Sequence, residues 1–347
     1  MKYVLEKFST IPYQIFFLIG ASVILCALLY RPITEFHVVG KEPSVLPVNA
    51  QAFEKWGSEP VKIKTGFSIT DIIKFDTLKN EFLVNAIVWF AYDPQKINLA
   101  TLEKFSFTKG EILKRSDPVI EKKSEHESIA TYSLRVQFGT VLDYARFPLD
   151  DHRLFLNLTN DSIKAQDIVF EVAPTDYTIA DNLYIAGWKV VGHDVKNGYS
   201  ENKVGSQTIV QPKVIFSLDV SKQDLRQLLL IFLPLLLIFY VSIFAFSIKD
   251  IVLAITIILA SISGLLAYAF VIQTISPLVG YFMLSDYFFI FVITSIFIIF
   301  LVTVLYAVPE HIASKKVLDT IKGVVIPILY ILLIVVWYYL TNIKNMK

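Results

Sequence analysis

The chain carries one cysteine, Cys26, in 347 residues. No intrachain disulfide and no cysteine-based metal site can be built from it. It has almost no net charge, 32 basic against 31 acidic side chains, so a nucleic acid or other polyanion is not an expected partner. It lacks the His-Glu-x-x-His, Gly-x-Ser-x-Gly and phosphate-cradling glycine patterns of metal, acyl-transfer and nucleotide sites. Its five histidines are scattered. His126, His152 and His193 are candidate proton sensors only because imidazole titrates near neutrality; the competing reading of each is an ordinary surface or core residue. Asp150-Asp151-His152 looks metal-like, but successive residues of a strand point to opposite faces. No enzyme activity, cofactor or metal is therefore expected. Internal repeats and low-complexity linkers are also missing.

What the chain does have is apolar sequence. It is 54% hydrophobic, with mean hydropathy +0.57, where soluble domains sit near 45–50% apolar. Five runs, 11–30, 228–248, 251–275, 287–308 and 323–341, reach the ~20 helical residues that cross a bilayer. Lys2 and Lys7 precede the first run, and no small-x-small cleavage site follows before Arg31-Pro32. It reads as an uncleaved anchor, with a signal peptide as the alternative. Either sends the polar region 31–227 across the membrane. Lys315, Lys316 and Lys322 lie in the loop 309–322, while the loop 276–286 has no lysine or arginine. The positive-inside rule puts the first loop in the cytoplasm and the second outside. Lys344 and Lys347 are a weak counter-signal. A cell (inner) membrane location is expected, with the polar region on the extracytoplasmic side.

That polar region reads as β. Tyr132, Leu134, Val136 and Phe138 alternate with polar residues, as do Leu154, Leu156 and Leu158, and Val214, Phe216, Leu218 and Val220. Period two over short runs, broken at Asp93-Pro94, Asp117-Pro118 and Asn197-Gly198, predicts an antiparallel sandwich. The charged stretch 114–127 reads as a solvated loop. Asn157 and Asn160 each begin a glycosylation sequon, a short pattern with a high chance rate. The expected fold is a membrane protein with an N-terminal hydrophobic anchor, an extracellular antiparallel β-sandwich and a four-helix transmembrane bundle.

Three stretches matter in combination. RFPLDDHRLFLNL (146–158) opens a strand with Phe-Pro-x-Asp. KQDLRQLLLIFLP (222–234) runs from strand into membrane with no linker. SPLVGYFMLSD (276–286) follows the third apolar run. Each alone is an ordinary turn, helix or loop. In this order and spacing they resemble the pentameric ligand-gated ion channels, the Cys-loop receptor superfamily, in its prokaryotic form. The matching residues are Phe147, Pro148 and Asp150, then Pro234, then Pro277 and Tyr281. The stretch 66–89 also looks like the family's first two strands. The resemblance covers about 65–341. It implies four domains: 1–31 an N-terminal transmembrane anchor or signal segment, 32–64 a linker, 65–224 an extracellular ligand-binding β-sandwich, and 225–347 a transmembrane four-helix channel domain. The loop cysteines that name the family are absent, as in prokaryotic members. The basic residue before the first bundle helix, usually Arg, is Lys222.

On a helix at 100° per residue, Thr256, Ala260, Ser263, Ala267, Phe270 and Thr274 share one face, with Ile258, Ile262, Leu265 and Ile272 opposite. Small and hydroxylated residues on a membrane helix serve close helix packing or line a water-filled pore. The resemblance implies the pore, in a homopentamer with a small-molecule or proton agonist, permeating ions and lipid around it. Ser261 falls off the stripe and fits packing. Phe270 is the candidate hydrophobic gate. Asp250 is the acidic candidate at the inner mouth, although Lys249 lies nearer the stripe, and cations are the favoured ion. The resemblance further implies that Phe147, Pro148 and Asp150 meet Pro277 and Tyr281 to couple binding to opening, with Asp150 a partner for Lys222. Trp89, Tyr92 and Tyr199 are the candidate ligand aromatics, from an incomplete cage; Trp89 and Tyr92 also read as sandwich core. The competing function is a non-conducting membrane receptor or scaffold with an outer binding domain.

Overall fold

The computed structural model describes residues 7–37, 42–222, 225–308 and 314–342. Lys2, Lys344 and Lys347 lie outside the described residues. The chain falls into two compact units. Described residues within Met1–His37, Tyr144–Asp150 and Asp224–Lys347 form a helical unit, and those within Val38–Asp143 and Asp151–Gln223 form a β unit.

The helical unit holds five helices long and apolar enough to cross a membrane. They are α1 (Ile11–Thr34), α4 (Leu225–Phe244), α5 (Ile251–Ile275), α6 (Leu284–Ala307) and α7 (Lys315–Asn342). Two short helices, α2 (Ala50–Trp56) and α3 (Leu99–Leu102), belong to the β unit. Helix α7 begins before the expected loop 309–322 has ended. Lys322 stays close to the apolar body because its ammonium lies 3.8 Å from the Tyr306 ring centroid and 5.7 Å from that of Phe246.

The N-terminal helix is part of this bundle. Phe17 stacks on Tyr330 of α7 at 5.6 Å, Ser22 Oγ and Tyr240 Oη of α4 are 3.1 Å apart, and Ser247 Oγ donates to the Ser9 carbonyl at 2.7 Å. Gln14 is 0% exposed on α1, and both its amide atoms lack a hydrogen-bond partner. A buried, unpaired amide costs about 1–3 kcal/mol, so apolar packing around it must offset that loss.

The β unit has eleven strands: β1 (Val61–Asp76), β2 (Glu81–Tyr92), β3 (Phe105–Thr108), β4 (Gly110–Arg115), β5 (Val119–Lys122), β6 (Ser128–Gly139), β7 (His152–Asn160), β8 (Ile168–Glu171), β9 (Tyr177–Ile179), β10 (Trp188–Val204) and β11 (Gln207–Lys222). Their order is β10-β11-β7-β3-β4-β6-β2-β1-β8, with β5 on β6 and β9 on β1. Most neighbours are antiparallel, as period two predicts; β8 and β9 pair parallel to β1. The alternating residues face inward: Leu154, Leu156, Leu158, Val214, Phe216 and Val220 are buried, and Phe67 stacks on Phe216 at 4.8 Å.

Three expectations need correction. Part of the stretch 114–127 is strand, not loop: β5 pairs with β6 and is exposed at every residue. Charge suits such a strand, because an exposed edge that carries Glu and Lys resists pairing with other chains. The segment 32–64, expected as a linker, includes α2, where Asn49 caps Ala52 N–H and Gly57 ends the helix at φ 77°. Ala52 packs with Ala165, Val169 and Tyr199, and Leu46 bridges Tyr199 through paired backbone bonds of 2.8 and 2.9 Å. Asn197-Gly198 is not a turn. Both sit inside β10, and a Cβ at 198 would meet the Leu46 carbonyl oxygen at 2.1 Å. The glycine is there to admit a neighbouring backbone.

Candidate functional site

Helix α5 begins at Asp250, whose Oδ1 accepts from the N–H groups of Val252 and Leu253 at 2.9 and 3.2 Å. Its carboxylate is therefore a helix cap as well as a charge. Along α5, Ala254, Ile258, Ser261, Leu265 and Ile272 are buried, and Ile262 is half-buried. Thr256, Ala260, Ser263, Ala267, Phe270 and Thr274 are all exposed, Phe270 to 70%. They lie within an arc of about 80°. The hydroxyls of Thr256 and Ser263 bond the carbonyls of Val252 and Leu259 one turn back, at 2.8 and 3.0 Å. Each hydroxyl thus satisfies its own donor without a partner helix. Ser261 bonds Ile257 in the same way on the buried side.

Pro234 stands inside α4. Having no N–H, it leaves the carbonyl four residues back, at Leu230, without its helical donor. The Tyr268 hydroxyl of α5 donates to that carbonyl. The orphan acceptor is legible from Pro234 by the i−4 rule; its donor, on another helix, is not.

The segment Tyr144–Asp150 groups with the helical unit. Tyr144 N–H donates to Tyr281 Oη at 2.9 Å, Leu284 N–H to the Ala145 carbonyl at 2.9 Å, and Ser285 N–H to the Phe147 carbonyl at 3.2 Å. Arg146 Nη2 donates to the Thr341 carbonyl at 2.7 Å. Phe147, Pro148, Asp150 and Pro277 are buried. The structure thus brings the segment bearing Phe147 and Pro148 to Tyr281 and the start of α6. The sequence does not announce Tyr144, Arg146, Ser285 and Thr341, because each of the four bonds uses a backbone atom that any residue supplies. Asp150 falls in the helical unit and Lys222 in the β unit. Lys222 places its ammonium 5.4 Å from the Trp188 ring centroid, and its N–H donates to Asp151 Oδ1 at 3.3 Å.

The candidate ligand aromatics have separate surroundings. Trp89 lies on the outer face of β2, its indole over Gly66, where a Cβ would come within 2.1 Å of the ring. It is not core, because its neighbours Val88 and Phe90 take the inward positions. Tyr92 is buried at the end of β2. Burial, then the Glu103 carboxylate, raises its phenol, and the same causes push Tyr132 up to about 12. Both stay neutral at physiological pH. Tyr199 sits inside β10, buried, 4.9 Å from Trp56. β2 pairs with β1 and β6 while β10 pairs with β11, so the three aromatics do not share a ladder.

His152 is buried between Phe75 and Trp188, His193 meets Tyr177 edge-on at 5.1 Å, and His126 Nδ1 is 3.7 Å from Asp93. Asn157 and Asn160 are both buried in β7, and Asn160 Nδ2 donates to the Thr101 carbonyl at 2.9 Å. Among the described residues, no group of three acidic, His or Cys side chains forms a metal cluster.

No protein-family model matches the chain. Over 265 residues it is 23% identical to the proton-gated ion channel of Gloeobacter violaceus, an alignment that covers 68% of this chain and 72% of that protein.

Proposed function

We propose that the chain is one subunit of a homopentameric ligand-gated cation channel, with α5 lining the pore. The observation that carries the reading is the division of α5. Its bulky face is buried in the bundle, while Thr256, Ala260, Ser263, Ala267, Phe270 and Thr274 are left uncovered. Five copies of that stripe around an axis would make a water-accessible wall, narrowed by a ring of Phe270 that closes by dewetting. The distant similarity to a proton-gated channel supports the same reading and makes protons the first agonist to try.

In this proposal the segment 65–224 is the extracytoplasmic agonist-binding domain and 225–347 the channel domain, in the cell membrane. Trp89, Tyr92 and Tyr199 are ligand-site candidates that meet across subunits. Phe147, Pro148, Asp150, Lys222, Pro277 and Tyr281 form the coupling set. Helix α1 is read here as a retained fifth membrane helix, a reading that its contacts through Phe17 and Ser22 with α7 and α4 support. Asp250 at the inner mouth favours cations.

The test is single-channel recording of purified protein in bilayers, stepped from neutral to acidic pH under asymmetric salt. Gated unitary currents that reverse near the cation equilibrium potential support the proposal. A monodisperse protein that conducts under no agonist condition favours a non-conducting receptor instead.

A further inference from the structure

Strand β7 directs Leu154, Leu156 and Leu158 inward, so Arg153, Phe155 and Asn157 lie on its other face. There they line a pocket of about 270 Å³ with Lys213 of β11, Lys109 of the β3–β4 turn and Val141 after β6. The lining contains three cations and no acid. Arg153 is committed to Asp219 through two bonds, Nε–Oδ1 at 2.6 Å and Nη2–Oδ2 at 2.8 Å. Glu42 is paired with Lys196 at 2.6 Å, and both Glu42 and Asp194 act on Arg153 only at longer range.

The two lysines are not so committed. Lys213 donates to a neutral acceptor, the Ser44 carbonyl at 3.3 Å, and burial pushes its ammonium below the ordinary value. Lys109 makes no side-chain hydrogen bond and no ion pair with the described residues. Asn157 is 9% exposed, and its buried Oδ1 has no hydrogen-bond partner. An amide can turn either end inward, so Asn157 can donate to a bound group through Nδ2. Two uncompensated ammonium groups call for an anion. The Phe155 ring and Val141 give the same pocket an apolar wall. Its volume lies just below the ~300–1,000 Å³ of drug-sized ligand sites, which suits a small ligand.

We propose that this pocket, within one subunit and apart from Trp89, Tyr92 and Tyr199, binds a small organic carboxylate. The anion sits between Lys109 and Lys213, with its apolar body against Phe155.

The test titrates benzoate into the purified full-length chain in detergent by calorimetry, with benzamide and inorganic phosphate as comparisons. Benzoate should bind at least about tenfold tighter than either, an energy within reach of a charge-assisted pair. Lys213→Gln and the exposed Lys109→Gln should each weaken benzoate about tenfold, and Lys213→Arg should retain it. Thermal melts confirm that each variant is folded. No saturable benzoate binding, or binding unchanged in both glutamine variants, overturns the site. Phosphate that matches benzoate overturns the carboxylate assignment.

Discussion

At Phe270 a large aromatic ring interrupts a stripe of small residues and is 70% exposed. In the proposed channel, Phe270→Ala widens and wets the constriction, so resting leak current should rise at neutral pH. Wild-type leak in that variant would remove Phe270 from the gate. Tyr281 offers a second residue-level test. Its hydroxyl is the acceptor for Tyr144 N–H, and Tyr281→Phe leaves that donor without it. A hydrogen bond of this kind contributes ~0.5–1.5 kcal/mol. Lost from one gating state more than the other, it moves the agonist midpoint roughly two- to tenfold. An unchanged concentration–response curve would argue against a coupling role.

Between elements, the contact of Tyr268 with the Leu230 carbonyl ties α5 to the proline-bearing turn of α4. In hydrocarbon no water replaces that bond. Tyr268→Phe should therefore lower the melting temperature in detergent, at a cost of ~1–3 kcal/mol. In a Pro234→Ala background the backbone N–H restored at that position recovers the Leu230 carbonyl, so the same change should cost much less; equal losses in both backgrounds would refute the account. The seam between 42–48 and β10 depends on Gly198, where a Cβ would meet the Leu46 oxygen at 2.1 Å. Gly198→Ala should speed hydrogen exchange at the Leu46 and Tyr199 amides and leave β7 unaffected. Unchanged protection at both would show that the seam adjusts. These seams were not readable beforehand. Asn-Gly is a strong local turn signal, and nothing near 198 announces a strand-like segment about 150 residues earlier.

For the whole molecule, the exposed face of α5 and the packed position of α1 make a joint prediction. Native mass spectrometry of detergent-solubilised protein should give five copies, each retaining residues 1–30. A monomer or dimer would undermine the pore, and chains that start near residue 31 would show that α1 is removed. The five spans, the alternation of Leu154, Leu156 and Leu158, and the two faces of α5 were determined by the sequence alone. Each depends on periodicity within one element, and burial follows that periodicity directly. Only the tertiary structure decided that α1 packs on α4 and α7, that Trp56 covers Tyr199, that Tyr268 serves Leu230, and that Lys109, Asn157 and Lys213 line one pocket. Most of these pairings join residues far apart in the chain, and hydrophobic pattern states which face is buried but not what covers it.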